Sequence, residues 1–290
     1  MKLTPARRWA LPWSLVLLVG AGQARPAWSD EAGTRYNTAL QLKREGKIPE
    51  AIREAEAAIG LRPDYAAAHF TLGNLYRQQG ELARAAAALE RAVKLAPKDA
   101  KSHANLGAVY ARQKRMDDAL RELETAVALD PKDYDARVTA GATYRQKGDP
   151  AKAIEHLTVA TELRPNEALA WSNLGVARAK ADDKEGALVA LKKAIEIEPG
   201  NGMAHFNLGT VYRRLRQSDE AIKSYQQALS LDPSIGGAWY DLGVLYAQLK
   251  RTNEALAAFK KYLALGGNAL PPADRRDAEE RIKALEAMAK

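Results

Sequence analysis

A period of 34 residues governs the chain from residue 32 onwards. Proline, glycine and alanine each recur at that interval and in fixed phase with one another. The recurring residues are Pro63, Pro97, Pro131, Pro165, Pro199 and Pro233; Gly73, Gly107, Gly141, Gly175, Gly209 and Gly243; and Ala51, Ala85, Ala119, Ala153, Ala187, Ala221 and Ala255. Such self-similarity is typical of architectures in which each unit packs on its neighbours. Counting the glycine as position 8 divides the chain into seven repeats without an insertion, at residues 32–65, 66–99, 100–133, 134–167, 168–201, 202–235 and 236–269.

Each repeat contains two helical patterns. In the fifth repeat Trp171, Leu174 and Gly175 fall at positions 4, 7 and 8, with Arg178 as the polar exception at position 11. Small or apolar residues fall again at positions 20, 24, 27 and 28, and both spacings follow the 3.6-residue period of a helix face. Small residues at positions 8 and 20 allow the two backbones to approach closely. Proline at position 32 cannot continue the second helix. The sequence therefore predicts an all-α chain of helix–turn–helix repeats.

The pattern resembles the tetratricopeptide repeat. The resemblance rests on a Leu-Gly-x-x-Tyr segment followed by Ala, Leu, Ala and Pro, which the third repeat shows at Leu106-Gly107 and Tyr110, Ala119, Leu123, Ala126 and Pro131. It covers all seven repeats. It implies a right-handed α-solenoid superhelix whose first helices line a concave groove, and a general role in binding proteins and peptides.

The last residues depart from the repeat. Pro271-Pro272 precede a segment whose apolar side chains share one helix face, namely Ala278, Ile282, Leu285 and Ala289. Residues 270–290 are therefore predicted to form a C-terminal capping helix that covers the open end of the seventh repeat. A detachable helix that blocks the groove is the alternative interpretation.

Residues 1–29 have the order of a secretory signal peptide. Lys2, Arg7 and Arg8 precede the apolar run 9–21, and small residues follow. The run is shorter than the roughly 20 residues of a spanning helix. We expect cleavage after Ala24 or Ser29 and export of the protein, to the periplasm in a bacterium. An uncleaved signal anchor is the alternative, and the Arg7-Arg8 pair is only a weak match to a twin-arginine signal.

The composition of the chain limits the kinds of ligand and chemical site that it can have. The formal charge of +8 falls to +4 without residues 1–29, which hold four basic residues and no acid. The chain has no cysteine, which excludes disulfides, thiolate metal sites, cysteine nucleophiles and an acylated N-terminal cysteine. Phosphate-loop, serine-elbow and His-Glu-x-x-His motifs are missing from the sequence. We therefore expect no enzymatic activity, cofactor or metal, and the interleaved acids argue against nucleic acid. His69, His103 and His205 share position 4, where helix packing explains them.

The candidate site is the groove face. In the family, positions 2, 5, 6, 9, 12 and 13 of the first helix face the groove, and helical geometry places them on one side. Position 6 is a column of amides and hydroxyls able to hydrogen-bond an extended peptide backbone. Positions 12 and 13 contain Lys or Arg in the first six repeats and no acid in any repeat, which suits carboxylates or phosphates. Aromatic residues at position 5 are candidate anchors. The predicted groove residues are Asn37, Phe70, Asn74, Arg77, Asn105, Arg112, Arg145, Asn173, Lys180, Phe206, Asn207, Arg213, Arg214 and Tyr240. A solvated polar face, with hydrogen bonds inside the repeats, is the alternative.

Two further patterns bear on the ligand. Position 12 is Arg in repeats two, four and six and Ala in repeats three, five and seven, a 68-residue double repeat that favours an extended ligand. Chaperone-binding members of the family hold a carboxylate in a clamp that includes three cationic side chains. Repeats two to four have Phe70, Asp135 and Thr139 at those three positions. The sequence therefore does not support binding to chaperone C-termini.

The sequence thus predicts an exported, non-enzymatic adaptor that binds an extended segment of a partner protein. Resemblance to exported bacterial repeat proteins suggests assembly of an envelope, pilus or secretion complex. The alternative is a substrate-targeting subunit for a separate enzyme, such as a glycosyltransferase or peptidase. Nothing in the sequence indicates a homo-oligomer, and a structural array of copies is the third interpretation.

Overall fold

The computed structural model describes residues 27–288, which are helical with short connections and contain no strand. The predicted signal peptide lies outside the described residues except for its last three, 27–29, which begin the first helix. The chain divides into two compact units, residues 1–64 and 65–290. We call the described part of the first the N-terminal pair and the second the main unit. No helix within residues 27–288 is both long and apolar enough to cross a membrane.

The N-terminal pair consists of α1 (Ala27–Arg44) and α2 (Ile48–Leu61). Its interior is made mostly of alanine, including Ala39 at the position where later repeats have glycine. An ion pair between Arg35 and Glu54, 3.2 Å apart, joins the two helices at the surface. This pair corresponds to the first predicted repeat.

The main unit contains six further helix pairs and one closing helix. They are α3 (Ala66–Gln79), α4 (Leu82–Leu95), α5 (Ala100–Arg112), α6 (Met116–Leu129), α7 (Tyr134–Lys147), α8 (Pro150–Leu163), α9 (Ala168–Lys180), α10 (Lys184–Ile197), α11 (Gly202–Arg214), α12 (Ser218–Leu231), α13 (Gly236–Gln248), α14 (Thr252–Gly266) and, after a 3₁₀ turn at Gly267–Ala269, α15 (Pro272–Met288). Each pair coincides with one predicted repeat. The all-α solenoid predicted from the 34-residue period is therefore confirmed.

The glycine at position 8 is needed for the close approach of the two helices in a repeat. A Cβ atom on Gly107 would lie 2.6 Å from Cγ of Leu123, and one on Gly209 would lie 2.7 Å from a ring carbon of Tyr225. Contacts this short are essentially never seen for real Cβ atoms, so a larger residue there would require the facing side chain or the helices to shift. The periodic glycine thus sets the internal geometry of the repeat.

Position 4 makes a hydrogen bond that joins each repeat to the proline before it. In repeats three to seven a side-chain nitrogen lies beside the carbonyl oxygen of the proline six residues earlier. The pairs are His103 Nε2 with Pro97 (3.0 Å), Arg137 Nε with Pro131 (2.7 Å), Trp171 Nε1 with Pro165 (2.8 Å), His205 Nε2 with Pro199 (3.1 Å) and Trp239 Nε1 with Pro233 (3.1 Å). We call this contact the proline clasp. It explains why His, Arg and Trp replace one another at position 4, since each carries a ring or guanidinium N–H.

The closing helix α15 packs on α14. Ala278 and Leu285 are buried there, and Lys260 pairs with Glu286 at 3.0 Å. The hydroxyl of Tyr240, on α13, donates to Asp277 at 2.5 Å. The helix therefore packs on the second helix of the seventh repeat, and its role as a cap stays a prediction.

Candidate functional site: the first-helix face

The first helices of successive repeats lie side by side in the main unit. Contacts join α3 to α5, α5 to α7, α7 to α9 and α9 to α11, and an ion pair between Arg213 and Asp241 joins α11 to α13. We use the term first-helix face for positions 2, 5, 6, 9, 12 and 13 of these helices. Asn37 belongs to the N-terminal pair, where it is exposed on α1. The other thirteen predicted groove residues lie on the first-helix face.

The amide side chains of the face are oriented by their own helices. Asn74, Asn105 and Asn173 each donate from Nδ2 to the carbonyl oxygen four residues earlier, at 3.1, 2.8 and 3.1 Å. Asn74 Oδ1 is buried without a hydrogen-bond partner, and Asn207 is half-buried at position 6 of the sixth repeat. Hydrogen bonding inside the repeat thus uses one N–H of each bonded amide, while its oxygen makes no bond among residues 27–288.

The cations at position 13 bind the preceding repeat. Arg112 Nη1 donates to the carbonyl of Arg77 at 3.4 Å, Lys180 Nζ to that of Arg145 at 3.3 Å, and Arg214 Nη1 to that of Ala179 at 2.5 Å. Each accepting carbonyl lies in the last turn of the preceding first helix, where positive charge is favoured. These three exposed side chains therefore contribute to the junctions between repeats. Sequence reasoning missed this role because it connects residues 35 apart.

The arginines at position 12 differ from those cations in burial. Arg77, Arg145 and Arg213 are half-buried. In each of them Nε is buried and has no hydrogen-bond partner. A guanidinium partly withdrawn from water in this way is stabilised by a nearby charge or hydrogen bond. The chain supplies a neighbouring carboxylate at only one of these three sites.

At Arg213 the chain supplies its own carboxylate. Asp241 Oδ1, from position 6 of the next repeat, lies 3.7 Å from Arg213 Nη2, and the Asp241 side chain is only 16% exposed. The hydroxyl of Tyr225 donates to the other carboxylate oxygen at 2.9 Å. Burial, with Asp241 next in importance, raises the pKa of Tyr225. We call this arrangement the closed site.

At Arg145 and Arg77 no such carboxylate is present. Within residues 27–288 neither guanidinium forms an ion pair, and the residue equivalent to Asp241 is Asn173 for Arg145 and Asn105 for Arg77. Burial lowers the pKa of Arg145, with no neighbouring charge opposing it. We call these the open sites.

The open site at Arg77 adjoins a cavity of about 620 Å³. The cavity is lined by residues from α3, α5 and α7 and the connection before α7, among them Arg77, Lys101, Asn105, Asp135 and Thr139. Lys101 and Asp135 are both exposed at position 2 of their repeats. The cavity shows that Arg77 and Asn105 share an accessible space on the first-helix face.

The aromatic residues at position 5 have different surroundings. Phe206 lies 5.8 Å from the ring of Tyr225, and Tyr240 packs edge-on against Phe259 and Tyr262. Both sets of ring contacts are made within a single repeat, since Tyr225 belongs to the sixth repeat and Phe259 and Tyr262 belong to the seventh. Phe206 and Tyr240 also line a cavity of about 450 Å³. Phe70 lines a separate cavity of about 370 Å³.

The histidines serve the fold. Besides its proline clasp, buried His103 lies 2.7 Å from Glu122 through Nδ1. The second-helix residue His156 is buried beside Glu124, 3.1 Å away. Over residues 27–288 no group of three His, Asp or Glu side chains has the arrangement of a metal site.

Comparisons with known proteins agree with this architecture. Family models described as tetratricopeptide repeat match residues 36–100, 70–134 and 206–269, then 110–175, and finally 168–201. A crystal structure of MamA is 30% identical with a TM-score of 0.51, covering 55% of this chain and 94% of its own. No curated protein sequence matches the chain.

Two more distant structures support the fold alone. YrrB, described as a repeat protein of this kind with an unusual peptide-binding site, is 23% identical with a TM-score of 0.56, covering 68% of this chain and 97% of its own. PilF of Pseudomonas aeruginosa is 17% identical with a TM-score of 0.62, covering 77% of this chain and 97% of its own.

Proposed function

The chain belongs to the tetratricopeptide-repeat family, and we propose that it is a non-enzymatic adaptor that binds an extended segment of a partner protein along its first-helix face. We further propose that it is exported and acts in assembling a complex of the cell envelope, a pilus or a secretion machine. Members of this repeat class present a scaffold on which a few side chains decide what is bound.

The observation that carries the proposal is the series of unsatisfied polar groups on the first-helix face. Position 12 arginines with buried, unbonded Nε atoms recur on α3 and α7 without a counter-charge, and Asn74 Oδ1 on α3 is buried without a partner. Buried polar groups of native proteins are usually bonded, so a series of exceptions on one face indicates groups that a partner completes. Leu169 and Met203, exposed at position 2 of neighbouring repeats, add apolar surface to the same face.

Photo-crosslinking in the native cell tests the adaptor proposal. A photoreactive residue placed at Thr139 or Asn173 lies on the first-helix face, whereas one at Glu162 or Lys223 lies exposed on a second helix. We expect specific adducts from the first two positions and none from the last two. Equal labelling from both faces, or labelling from the second helices alone, would show that partners bind elsewhere.

Export is tested independently. Residues 1–29 fused to a reporter that is active only outside the cytoplasm are expected to give active reporter, because they carry the charged, apolar and small-residue order of a signal peptide. The control replaces Arg7 and Arg8 by glutamate. A reporter that stays cytoplasmic would remove the envelope role and leave the adaptor role standing.

A further inference from the structure

The closed site shows which chemical group complements a position 12 arginine in this protein. Arg213 is met by the carboxylate of Asp241, which is held in place by the Tyr225 hydroxyl. That carboxylate comes from the next repeat and approaches from the first-helix face. The closed site thus shows how a carboxylate occupies the space beside a position 12 arginine of this chain.

The open sites keep the arginine and lack the acid. The position filled by Asp241 is taken by Asn173 next to Arg145 and by Asn105 next to Arg77. An amide brings no negative charge, so both guanidiniums remain half-buried without compensation. A guanidinium offers a carboxylate two parallel N–H donors, and such charge-assisted pairs are stronger than neutral hydrogen bonds.

We propose that Arg77 and Arg145 each receive an Asp or Glu side chain of an extended acidic segment, with Asp241 acting as a built-in substitute for such a side chain at the third site. The inference rests on the proposed adaptor function and names the chemistry of its partner. A carboxylate is favoured over a phosphate because Asp135 lines the same cavity as Arg77, and a doubly charged group is repelled more strongly by that acid.

The repeat geometry sets the spacing of the two acids. Arg77 lies on α3 and Arg145 on α7, with α5 in contact with both. Packed helices lie about 8–10 Å apart, so the two sites are separated by roughly 16–20 Å. An extended chain advances about 3.3–3.6 Å per residue. The acids of the partner segment are therefore expected about five or six residues apart.

Fluorescence anisotropy with labelled peptides tests this inference on the full chain. The probes are 16-residue peptides of Ser, Gln and Ala with two Glu residues spaced two, four, six or eight apart. We expect the tightest binding near a spacing of six. Arg145→Gln and Arg77→Gln are each expected to weaken that peptide about tenfold, the scale of one charge-assisted pair. Lys223→Gln removes the same charge from a second helix and is expected to change the affinity less than twofold.

A gain of binding provides the second arm. Asp241→Asn gives the closed site the amide that the open sites have at this position, and is expected to tighten a peptide with a third Glu six residues further on, by about tenfold. Glu162→Gln makes the same charge change on a second helix and serves as its control. Circular dichroism and thermal melts verify that each variant is folded.

Several outcomes would overturn the inference. They are affinity that does not depend on spacing, losses in Lys223→Gln equal to those in the arginine variants, and no measurable binding at about 1 mM peptide. The adaptor function fails separately, when crosslinking finds no partner on the first-helix face. A crosslinked partner whose binding is unchanged in Arg77→Gln and Arg145→Gln would overturn the acidic-segment inference alone.

Discussion

The closed site at Arg213 and the open site at Arg145 occupy equivalent positions two repeats apart and have different neighbouring side chains. The closed site has Asp241 and Tyr225 where the open site has Asn173 and Leu157, and Thr210 where the open site has Ala142. Tyr225 also lies within 3.3 Å of Thr210. The same arginine is therefore part of the structure in one repeat and unsatisfied in another. The difference shows that repeat position fixes where a side chain lies, while its neighbours decide whether it is available to a ligand.

The largest test of this comparison is removal of the built-in carboxylate. Asp241→Ala leaves Arg213 half-buried and unpaired and takes away the acceptor of the Tyr225 hydroxyl. We expect a loss of about 1–3 kcal/mol in the free energy of unfolding, since an unpaired charge then remains. Urea unfolding measured by circular dichroism gives the value. Glu162→Ala, an exposed acid on α8, is the control and should stay within about 0.5 kcal/mol. Equal effects would mean that the closed site contributes no stability.

The tyrosine of the closed site predicts a pH dependence that the open sites lack. The pKa of Tyr225 is raised in the folded protein, above its unfolded value of about 10. The folded state therefore retains a proton that the unfolded state releases, and stability falls as pH rises above about 10. Tyr225→Phe is expected to be about 0.5–1.5 kcal/mol less stable than the parent at neutral pH, and this gap should shrink above pH 10. A gap that stays constant up to about pH 11.5 would contradict the assignment.

The two arginines are expected to respond oppositely to the same substitution. Arg145→Met removes a half-buried charge without a partner while keeping the apolar stem, so the free energy of unfolding should be unchanged or rise by up to about 1 kcal/mol. Arg213→Met separates Asp241 from its counter-ion and should be destabilising. Chemical unfolding of the two variants side by side checks the prediction. Destabilisation by Arg145→Met would show that its guanidinium supports the fold.

The smallest effect is expected at the cations of position 13. Lys180→Gln loses the charged contact to the Arg145 carbonyl at the end of α7, which is worth about 0.3–1 kcal/mol at an exposed site. The same unfolding assay applies, with Lys223→Gln as the matched loss of charge on a second helix. A large loss of peptide binding without loss of stability would instead assign Lys180 to the ligand.

The sequence predicted the architecture well because the fold is local. Most helix pairs are specified by a Gly, an Ala and a Pro within 34 residues, and α2 to α14 each begin and end within a predicted repeat. The arginines at position 12 and their recurrence in every second repeat were also predictable from the sequence, since they depend only on the position of a residue within its repeat.

The pairing within the face was not predictable in the same way. The sequence correctly shows that positions 12 and 13 hold no acid. The acid that neutralises Arg213 comes instead from position 6 of the following repeat. The bonds of Arg112, Lys180 and Arg214 likewise cross from one repeat to the one before. Such contacts depend on the angle between neighbouring repeats, which a one-dimensional pattern does not contain. The proline clasp could have been noticed from the shared N–H of His, Arg and Trp.

The proline clasp has a consequence for how a chain like this changes in length. Its donor and acceptor are six residues apart and lie on either side of every junction from the third repeat to the seventh. A gene duplication or deletion of thirty-four codons therefore creates a junction that already has both partners. The arginine sites, however, recur only every second repeat. A change of sixty-eight codons would add or remove one arginine site and keep the spacing of the others. A change of thirty-four codons would shift the arginine sites on one side of the change by one repeat relative to those on the other side.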